Sequence, residues 1–361
     1  MTTSDVPGLT EVAPVRSGED LDWVALEAYL RDCIPGLDGD FSVLQFPNGS
    51  ANLTYRVSVG DQQYVVRRPP LGKLAIGAHD MKREYRALSG LWAAYDRAPR
   101  PLAYTDDASI VGAEFLVIEY RSGVVIWGPD SVPEQMHSLP RYGWRIGMAM
   151  ADALSDLHMI DLHETGLIEL GRPDGFLERQ LRGWRARWEA VCDVGPAHPL
   201  MEILADRLFS QIPTSPPPTV LHNDFKLDNC QFSPADPDRV ISVFDWDMAT
   251  VGDPLVDLGT LLNYLPDPSG VELERVAIPG LEKIGLPSRQ EIVERYASRT
   301  GTAVDAIHWY EAYGIWKTAV IMQQLFARYA RGETTDARMG TRADRVDGVA
   351  ERALDLLGSG R

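Results

Sequence analysis

Apolar and polar positions change their period about a third of the way along this chain of 361 residues. From Phe41 to Arg67, apolar and aromatic residues recur between two sets of turn-formers, Pro47-Asn48-Gly49 and Gly60-Asp61. That pattern predicts three strands in an antiparallel meander. Pro69-Pro70 stops the third strand, because proline offers no amide to a ladder. His79 to Tyr95 then carries Met81, Tyr85, Leu88 and Leu91 at helical spacing, and a further strand pair is expected between Pro101 and Tyr120.

Beyond R-S-G-V-V-I-W-G the helical period takes over. Arg141 to His158 sets Trp144, Met148, Ala151, Leu154 and His158 on one helical face. Ala306 to Ala330 is a long apolar helix whose Glu311, Lys317 and Gln323 mark it as the core of a globular lobe and not a membrane span. T-V-L-H-N-D and R-V-I-S-V-F-D-W-D interrupt the helices as short strands flanking a polar loop, with P-T-S-P-P-P as a stiff lead-in. The C-terminal stretch, rich in Arg, Asp and Gly, is expected to form a solvated helix. The chain is therefore expected to be α+β, with an N-terminal helical extension (1–39), a small β-rich lobe (40–121) and a larger, mainly helical lobe (122–361).

Composition narrows the chemistry. A hydrophobic content of 45% supports a sizeable core, and 52 acidic against 35 basic side chains give a net charge of −17. That charge argues against general affinity for polyanions such as duplex DNA, so an anionic ligand would need a local basic patch. Cys33, Cys192 and Cys230 are far apart and show neither zinc nor disulfide spacing, which suits a reducing cytosol. The N-terminal M-T-T-S-D-V-P-G-L-T-E-V has no basic segment followed by an apolar core, and no apolar run reaches membrane length. The expectation is a cytoplasmic protein without a nucleic-acid or membrane partner.

The densest polar chemistry is V-L-H-N-D-F-K-L-D-N, Val220 to Asn229, at the mouth of an apolar strand. In phosphoryl transfer to a hydroxyl, an Asp orients the acceptor and takes its proton, an Asn a few residues on helps to hold magnesium, and a second Asp bridges the metal to the phosphates. Asp224 and Asn229 have the spacing of the protein-kinase pattern H-R-D-L-x-x-x-N, Lys226 is placed to offset phosphoryl charge, and Asp245 closes the strand of V-I-S-V-F-D-W-D. No P-loop, nucleophile-elbow or H-E-x-x-H pattern is present. A metallohydrolase with His222, Asp224 and Asp245 as ligands is an alternative on residue types alone.

Those two motifs, with F-P-N-G-S-A-N-L-T-Y-R-V, Y-V-V-R-R-P-P, A-H-D-M-K-R-E-Y-R-A-L and G-R-P-D-G-F-L-E-R-Q-L, resemble the aminoglycoside phosphotransferase and choline kinase-like superfamily. Within it, the chain is most similar to the branch that is fused in some larger proteins to an acyl-CoA dehydrogenase. The resemblance covers about residues 40 to 330 and implies a bilobal protein-kinase-like fold with ATP between the lobes. By position it makes Asp224 the catalytic base, with Lys226 and Asn229 beside it, and Asn229 and Asp245 the magnesium ligands. It places Gly49, Ser50 and Asn52 over the phosphates, Arg67 on phosphate and on the helical acid Glu84, and the backbone of Glu119-Tyr120-Arg121 against adenine. Arg67 replaces the usual lysine, Ala51 a usual serine and Asn223 the common glycine of H-G-D.

Other side chains take structural readings. His222 orients its loop, Asp257 accepts from the catalytic-loop backbone, Asp253 caps a turn or helix, and His158 belongs to the core. The resemblance leaves two acceptor classes open, an aminoglycoside or a hydroxyacyl-CoA-type metabolite. For the second, Arg179, Arg182, Arg185 and Arg187 are candidate anchors, although a solvated amphipathic helix is the favoured reading of them. A nucleotide-binding pseudokinase with a regulatory or scaffold role is the alternative function, invited by Arg67 and Ala51.

Overall fold

The computed structural model describes residues 12–47, 52–70, 80–266, 280–334 and 336–359. Helix α1 (Trp23–Cys33) precedes the meander β1 (Phe41–Gln45), β2 (Leu53–Val59) and β3 (Gln62–Arg68). Gly60 makes the β2–β3 turn with φ 56°, where a Cβ would lie 2.5 Å from the Asp38 carbonyl oxygen, so only glycine fits without movement. Next come α2 (Met81–Leu91), β4 (Pro101–Thr105), the short α3 (Ala108–Val111) and β5 (Phe115–Glu119). The five strands form one antiparallel sheet in the order β1-β2-β3-β5-β4.

Alternation along the strands divides the small lobe between two cores. Val57, Val59, Val66, Phe115 and Val117 pack with Leu26 and Leu30 of α1. Leu116 and Ile118 face the other way and join Met81, Leu88 and Leu91 of α2 in the large core that runs through the rest of the chain. α2 begins at Asp80, whose carboxylate caps the Arg83 N–H at 2.8 Å. His79 lies outside the described residues.

In the large lobe, β6 (Val124–Val125) and α4 (Glu134–His137) lead to α5 (Tyr142–His158), α6 (Phe176–Glu189) and α7 (Pro199–Ser210). β7 (Thr219–Leu221) pairs with β10 (Thr250–Gly252), and between them the hairpin β8 (Cys230–Ser233) and β9 (Asp236–Val243) pairs with β6. α8 (Leu255–Tyr264), α9 (Arg289–Thr300), α10 (Ile307–Ala330) and α11 (Val346–Ser359) complete the chain. No helix among the described residues is long and apolar enough to cross a membrane.

The expected strands and the helices at 142–158 and 307–330 are present, with three differences. The buried face of α5 includes Ile146, Ala149, Met150, Ala153 and Leu157 beside the expected Ala151, Leu154 and His158, whereas Trp144 and Met148 are only half-buried, because β7, β9 and α9 cover the helix on other sides. The polar unit holds the additional strands β8 and β10. The C-terminal helix is not solvated: Val346, Val349, Ala350, Ala353 and Leu357 form a stripe at helical spacing, buried in the large core where α11 meets α7 and α10.

The helices α8 and α10 approach most closely at two glycines. A Cβ on Gly259 would lie 2.5 Å from the Tyr310 carbonyl oxygen, and one on Gly314 would lie 3.3 Å from the Gly259 carbonyl oxygen. This contact brings both helices beneath the polar loop. α1 is an integral part of the small lobe's packing: Leu30→Ala, at a fully buried position, should lower unfolding free energy by roughly 2–5 kcal/mol in urea titration.

Candidate functional site

The polar loop is held from below before any of its side chains is placed. After β7, the backbone N–H groups of His222 and Asn223 both donate to the Asp257 carboxylate on α8, at 2.6 and 2.7 Å. Asp257 is fully buried. Burial opposes its charge, but His158 and the loop amide outweigh that and hold its carboxyl below the usual range. His158 lies 3.4 Å from Asp257 and 2.7 Å from the Tyr296 hydroxyl, so it links α5, α8 and α9 inside the core. Asp253 accepts from the Leu255 N–H at 3.0 Å and the Tyr310 hydroxyl at 2.7 Å, the capping arrangement expected of it.

Asn223 turns the chain with φ 67°, and its side-chain amide donates to the Met248 carbonyl at 2.8 Å. The Asp224 N–H points back at His222 Nδ1, 3.3 Å away, while His222 Nε2 meets the Phe244 carbonyl at 3.0 Å. An acceptor at Nδ1 and a donor at Nε2 assign the Nε2–H tautomer. His222 therefore braces the loop, and its ring nitrogens are committed to backbone groups instead of joining Asp224 and Asp245 in a metallohydrolase ligand set.

Both oxygens of Asp224 have donors. Lys226 Nζ and Asn229 Nδ2 each lie 3.0 Å from Oδ2, and the Tyr264 hydroxyl lies 3.4 Å from Oδ1. Lys226 also lies 3.7 Å from Asp228 and 5.3 Å from the centroid of the Tyr264 ring. Burial disfavours the ammonium, but Asp224 and its neighbours raise its pKa above the ordinary lysine value. Asn229 Nδ2 donates to the Asp224 carbonyl as well, at 2.9 Å, which commits the amino end of that amide to Asp224.

Asp245 follows β9 with φ 72°, so it and Asn223 are two of the three non-glycine residues with positive φ among the described residues. Such a backbone costs of order 1–3 kcal/mol where a side chain is present, and it clusters where geometry serves a site. Arg67 on β3 lies 2.5 Å from Asp245 Oδ1 and 3.2 Å from Glu84 Oε2 on α2. The other Glu84 oxygen accepts from the Trp246 N–H at 3.4 Å, and Asn52 donates to Asp247 at 3.5 Å. These contacts cross between the lobes. The backbone joins the two halves of the site, because the Phe244 N–H donates to the Asn229 carbonyl at 3.1 Å.

Two carboxylates thus hold one guanidinium, and a third, Asp247, acts on it at longer range. Burial pushes Glu84 up to about 7 despite Arg67, and burial together with Asp245 pushes Asp247 up to about 6. Asp245 is held below the usual range by Arg67 although burial works against it. Burial makes these charges costly, and a divalent cation would offset them. Among the described residues no three His, Cys, Asp or Glu side chains form a cage of their own. One Asp and one Asn are enough for magnesium, which keeps water and substrate phosphates as most of its ligands.

The remaining candidates divide. Gly49, Ser50 and the Ala51 departure lie outside the described residues. Arg121 donates to the carbonyls of Asp96, Ala98 and Ile241 at 2.5, 2.9 and 3.0 Å and pairs with Glu119 at 3.1 Å, so its side chain ties the connector to both lobes. The Tyr120 ring lies 5.7 Å from the Arg56 guanidinium. The arginines of α6 follow the solvated-helix reading. Arg179 donates to the carbonyls of Arg172 and Asp174, Arg182 pairs with Glu178, Arg185 pairs with Glu202 and Asp206, and Arg187 lies over Trp184.

Sequence reasoning missed Tyr264 and Lys317. Tyr264 stands two helical turns after Asp257, so the pair shares a face of α8 toward the loop, a spacing that could have revealed it. Lys317 was visible as a cation in the apolar middle of α10; its ammonium lies 2.7 Å from the Asn223 carbonyl.

Comparison with known proteins agrees with this geometry. The family model described as "Phosphotransferase enzyme family" matches residues 42–292. "Acyl-CoA dehydrogenase family member 11" of Rattus norvegicus is 32% identical over 92% of this chain, which spans 43% of that protein; the chain thus covers less than half of the relative's length. "Thiamine kinase" of Escherichia coli (strain SMS-3-5 / SECEC) is 28% identical over 46% of this chain and 55% of its own. Among solved structures, a protein of Ralstonia eutropha JMP134 assigned as an aminoglycoside phosphotransferase superposes with a TM-score of 0.78 at 26% identity, covering 94% of this chain and 99% of its own. The aminoglycoside phosphotransferase APH(4)-Ia, in a ternary complex with AMP-PNP and hygromycin B, shares the fold at a TM-score of 0.57 and 15% identity, covering 93% and 100%. With its β-sheet lobe, its helical lobe and the H-N-D-F-K-L-D-N loop between two short strands, the chain belongs to the phosphotransferase enzyme family, within the bilobal kinase-like fold.

Proposed function

We propose that the chain transfers the γ-phosphoryl group of ATP to a hydroxyl of a small molecule, with Asp224 as the catalytic base. The observation that carries this reading is the convergence at the lobe boundary of two acids with different partners. Asp224 is held by Lys226 and Asn229, and Asp245 is held by Arg67 on backbone that joins Asn229. One acid is set to receive a proton and the other to hold a cation.

In this mechanism the acceptor hydroxyl approaches Asp224 and yields its proton to that carboxylate as the phosphoryl group arrives. Lys226 and the planar fork of Arg67 offset phosphate charge, a role in which guanidinium can replace ammonium. Asn52, with Gly49 and Ser50, covers the phosphates, and the backbone of Glu119-Tyr120-Arg121 meets adenine. Asn229 and Asp245 would hold magnesium, with Asp247 beside them. Bound there, the ion would neutralise charge on the phosphates.

The pseudokinase reading draws support only from Arg67 and Ala51. Arg67 keeps a cation on Glu84, the helical acid that the usual lysine would meet, and reaches Asp245 as well, so that substitution does not argue against turnover. For the acceptor, an aminoglycoside and a hydroxyacyl-CoA-type metabolite are both proposed from the named relatives. The backbone hydrogen bonds of Arg179 and the ion pairs of Arg182 and Arg185 leave α6 with little to offer a CoA phosphate. We place the activity in the cytosol.

Three measurements test this reading. Turnover of ATP across a panel of aminoglycosides, choline-like alcohols and hydroxyacyl-CoAs identifies the acceptor, and Asp224→Asn should then lower it by roughly 10²–10⁴-fold with nucleotide affinity retained. Undiminished turnover in that variant would remove Asp224 from the mechanism. Asp245→Asn should weaken calorimetric binding of the magnesium–ATP complex by at least about tenfold, because it removes a charged ligand.

The third is a pH dependence. Protonation of Asp247, with its pKa at about 6, and of Glu84, at about 7, removes negative charge that a cation needs. Affinity for magnesium–ATP should therefore fall as pH drops from 8 to 5.5. Asp247→Asn should flatten that fall, which separates the protein's protons from those of ATP itself.

A further inference from the structure

The catalytic loop rests on a buried cation that, among the described residues, has no carboxylate in direct contact. Lys317 lies on α10, one turn beyond Gly314, and is 8% exposed. Its ammonium donates to the Asn223 carbonyl at 2.7 Å and lies 5.6 Å from the centroid of the Trp184 ring. Burial lowers its pKa, partly countered by the charges of Asp224 and Asp257 at longer range. An ammonium taken out of water for a single carbonyl and an aromatic face is a poor stabiliser of the fold, and an apolar side chain of the same length would fill the space at less cost.

The position of that carbonyl gives the charge a use. The peptide unit joining Asn223 to Asp224 is held at both ends, its C=O by Lys317 and its N–H by His222 Nδ1 at 3.3 Å. The two preceding N–H groups are fixed by Asp257. Asn223 has a left-handed backbone, φ 67°, so this peptide unit is the one that a relaxation toward ordinary φ would rotate. Rotation there would swing Asp224 away from Lys226 and Asn229. The close approach of α8 and α10 at Gly259 and Gly314 is what lets Asp257 and Lys317 reach the same turn from neighbouring helices.

We propose that Lys317 is a positioning residue for phosphoryl transfer: its buried ammonium pins the peptide unit before Asp224 and so fixes the direction of the catalytic carboxylate. The inference rests on the phosphotransfer reading for its effect on rate, but the pin itself can be tested without turnover.

Lys317→Met keeps the length and removes the charge and the donor. In the full chain, three readouts are compared with the wild type: amide hydrogen exchange at Asn223 and Asp224, ATP turnover with the accepted substrate, and melting temperature. The expected result is exchange at these two amides faster by about tenfold or more, turnover lower by about 10- to 100-fold with nucleotide affinity unchanged, and a melting temperature equal to or above that of the wild type. Lys317→Gln, which keeps a donor without the charge, should recover part of the exchange protection.

Unchanged exchange at both amides would overturn the proposal. So would a lowered melting temperature with exchange accelerated throughout the large lobe, the signature of a packing residue. If the wild type transfers phosphate to nothing, the phosphotransfer reading fails, while faster exchange confined to the loop still supports the pin and unchanged exchange still rejects it.

Discussion

The site depends on one buried carboxylate. Asp257 receives the N–H groups of His222 and Asn223, and hydrogen bonds to an ionised acceptor are worth about 1.5–3 kcal/mol each when both partners are desolvated. Its negative charge deep in the core is sustained by those donors and by His158, itself anchored on Tyr296. A loop of short polar residues would otherwise sample many conformations. Fixing its first two amides leaves only the next peptide unit to be set, and Asn223 and Lys317 meet at that unit.

Electrostatics then distinguishes two acids that the β8–β9 hairpin brings together, where the Phe244 N–H meets the Asn229 carbonyl. Asp224 has donors on both oxygens and sits beside an ammonium, whereas Asp245 shares one guanidinium with Glu84 and stands next to Asp247. The first environment sets an ammonium, an amide and a hydroxyl around one carboxylate and holds it in a fixed direction. The second sets three acids against one guanidinium, and burial raises the pKa of Glu84 and Asp247 there, so added positive charge would be favourable. Because Arg67 and Glu84 belong to the small lobe and Asp245 to the large one, the same ion pairs also set how the lobes meet.

Backbone strain is placed with the same economy. Asn223 and Asp245 both adopt positive φ, one at the turn before Asp224 and the other just after β9. Asparagine and aspartate tolerate that region better than most residues because their short polar side chains can bond locally. The Asn223 side chain does so with the Met248 carbonyl, which gives the replacement of the family's common glycine a structural use.

The sequence alone was enough for the strand meander, the long core helix, the two acids with their intervening asparagine, and the roles of Asp257 and Asp253. Each is written in local spacing or in a dense motif, and local spacing maps directly onto strand and helix geometry. The C-terminal helix shows the limit: its mixed composition suggested solvent, while the apolar stripe from Val346 to Leu357 becomes decisive only when α7 and α10 are in place to cover it. The arginines of α6 were open to two readings until Glu178, Glu202 and Asp206 were seen beside them. Tyr264 and Lys317 depended on the tertiary structure for a different reason. A tyrosine or a lysine in an apolar helix has no spacing that says what it faces, and only the packing of α8 and α10 beneath the loop decides that one meets Asp224 and the other the carbonyl before it.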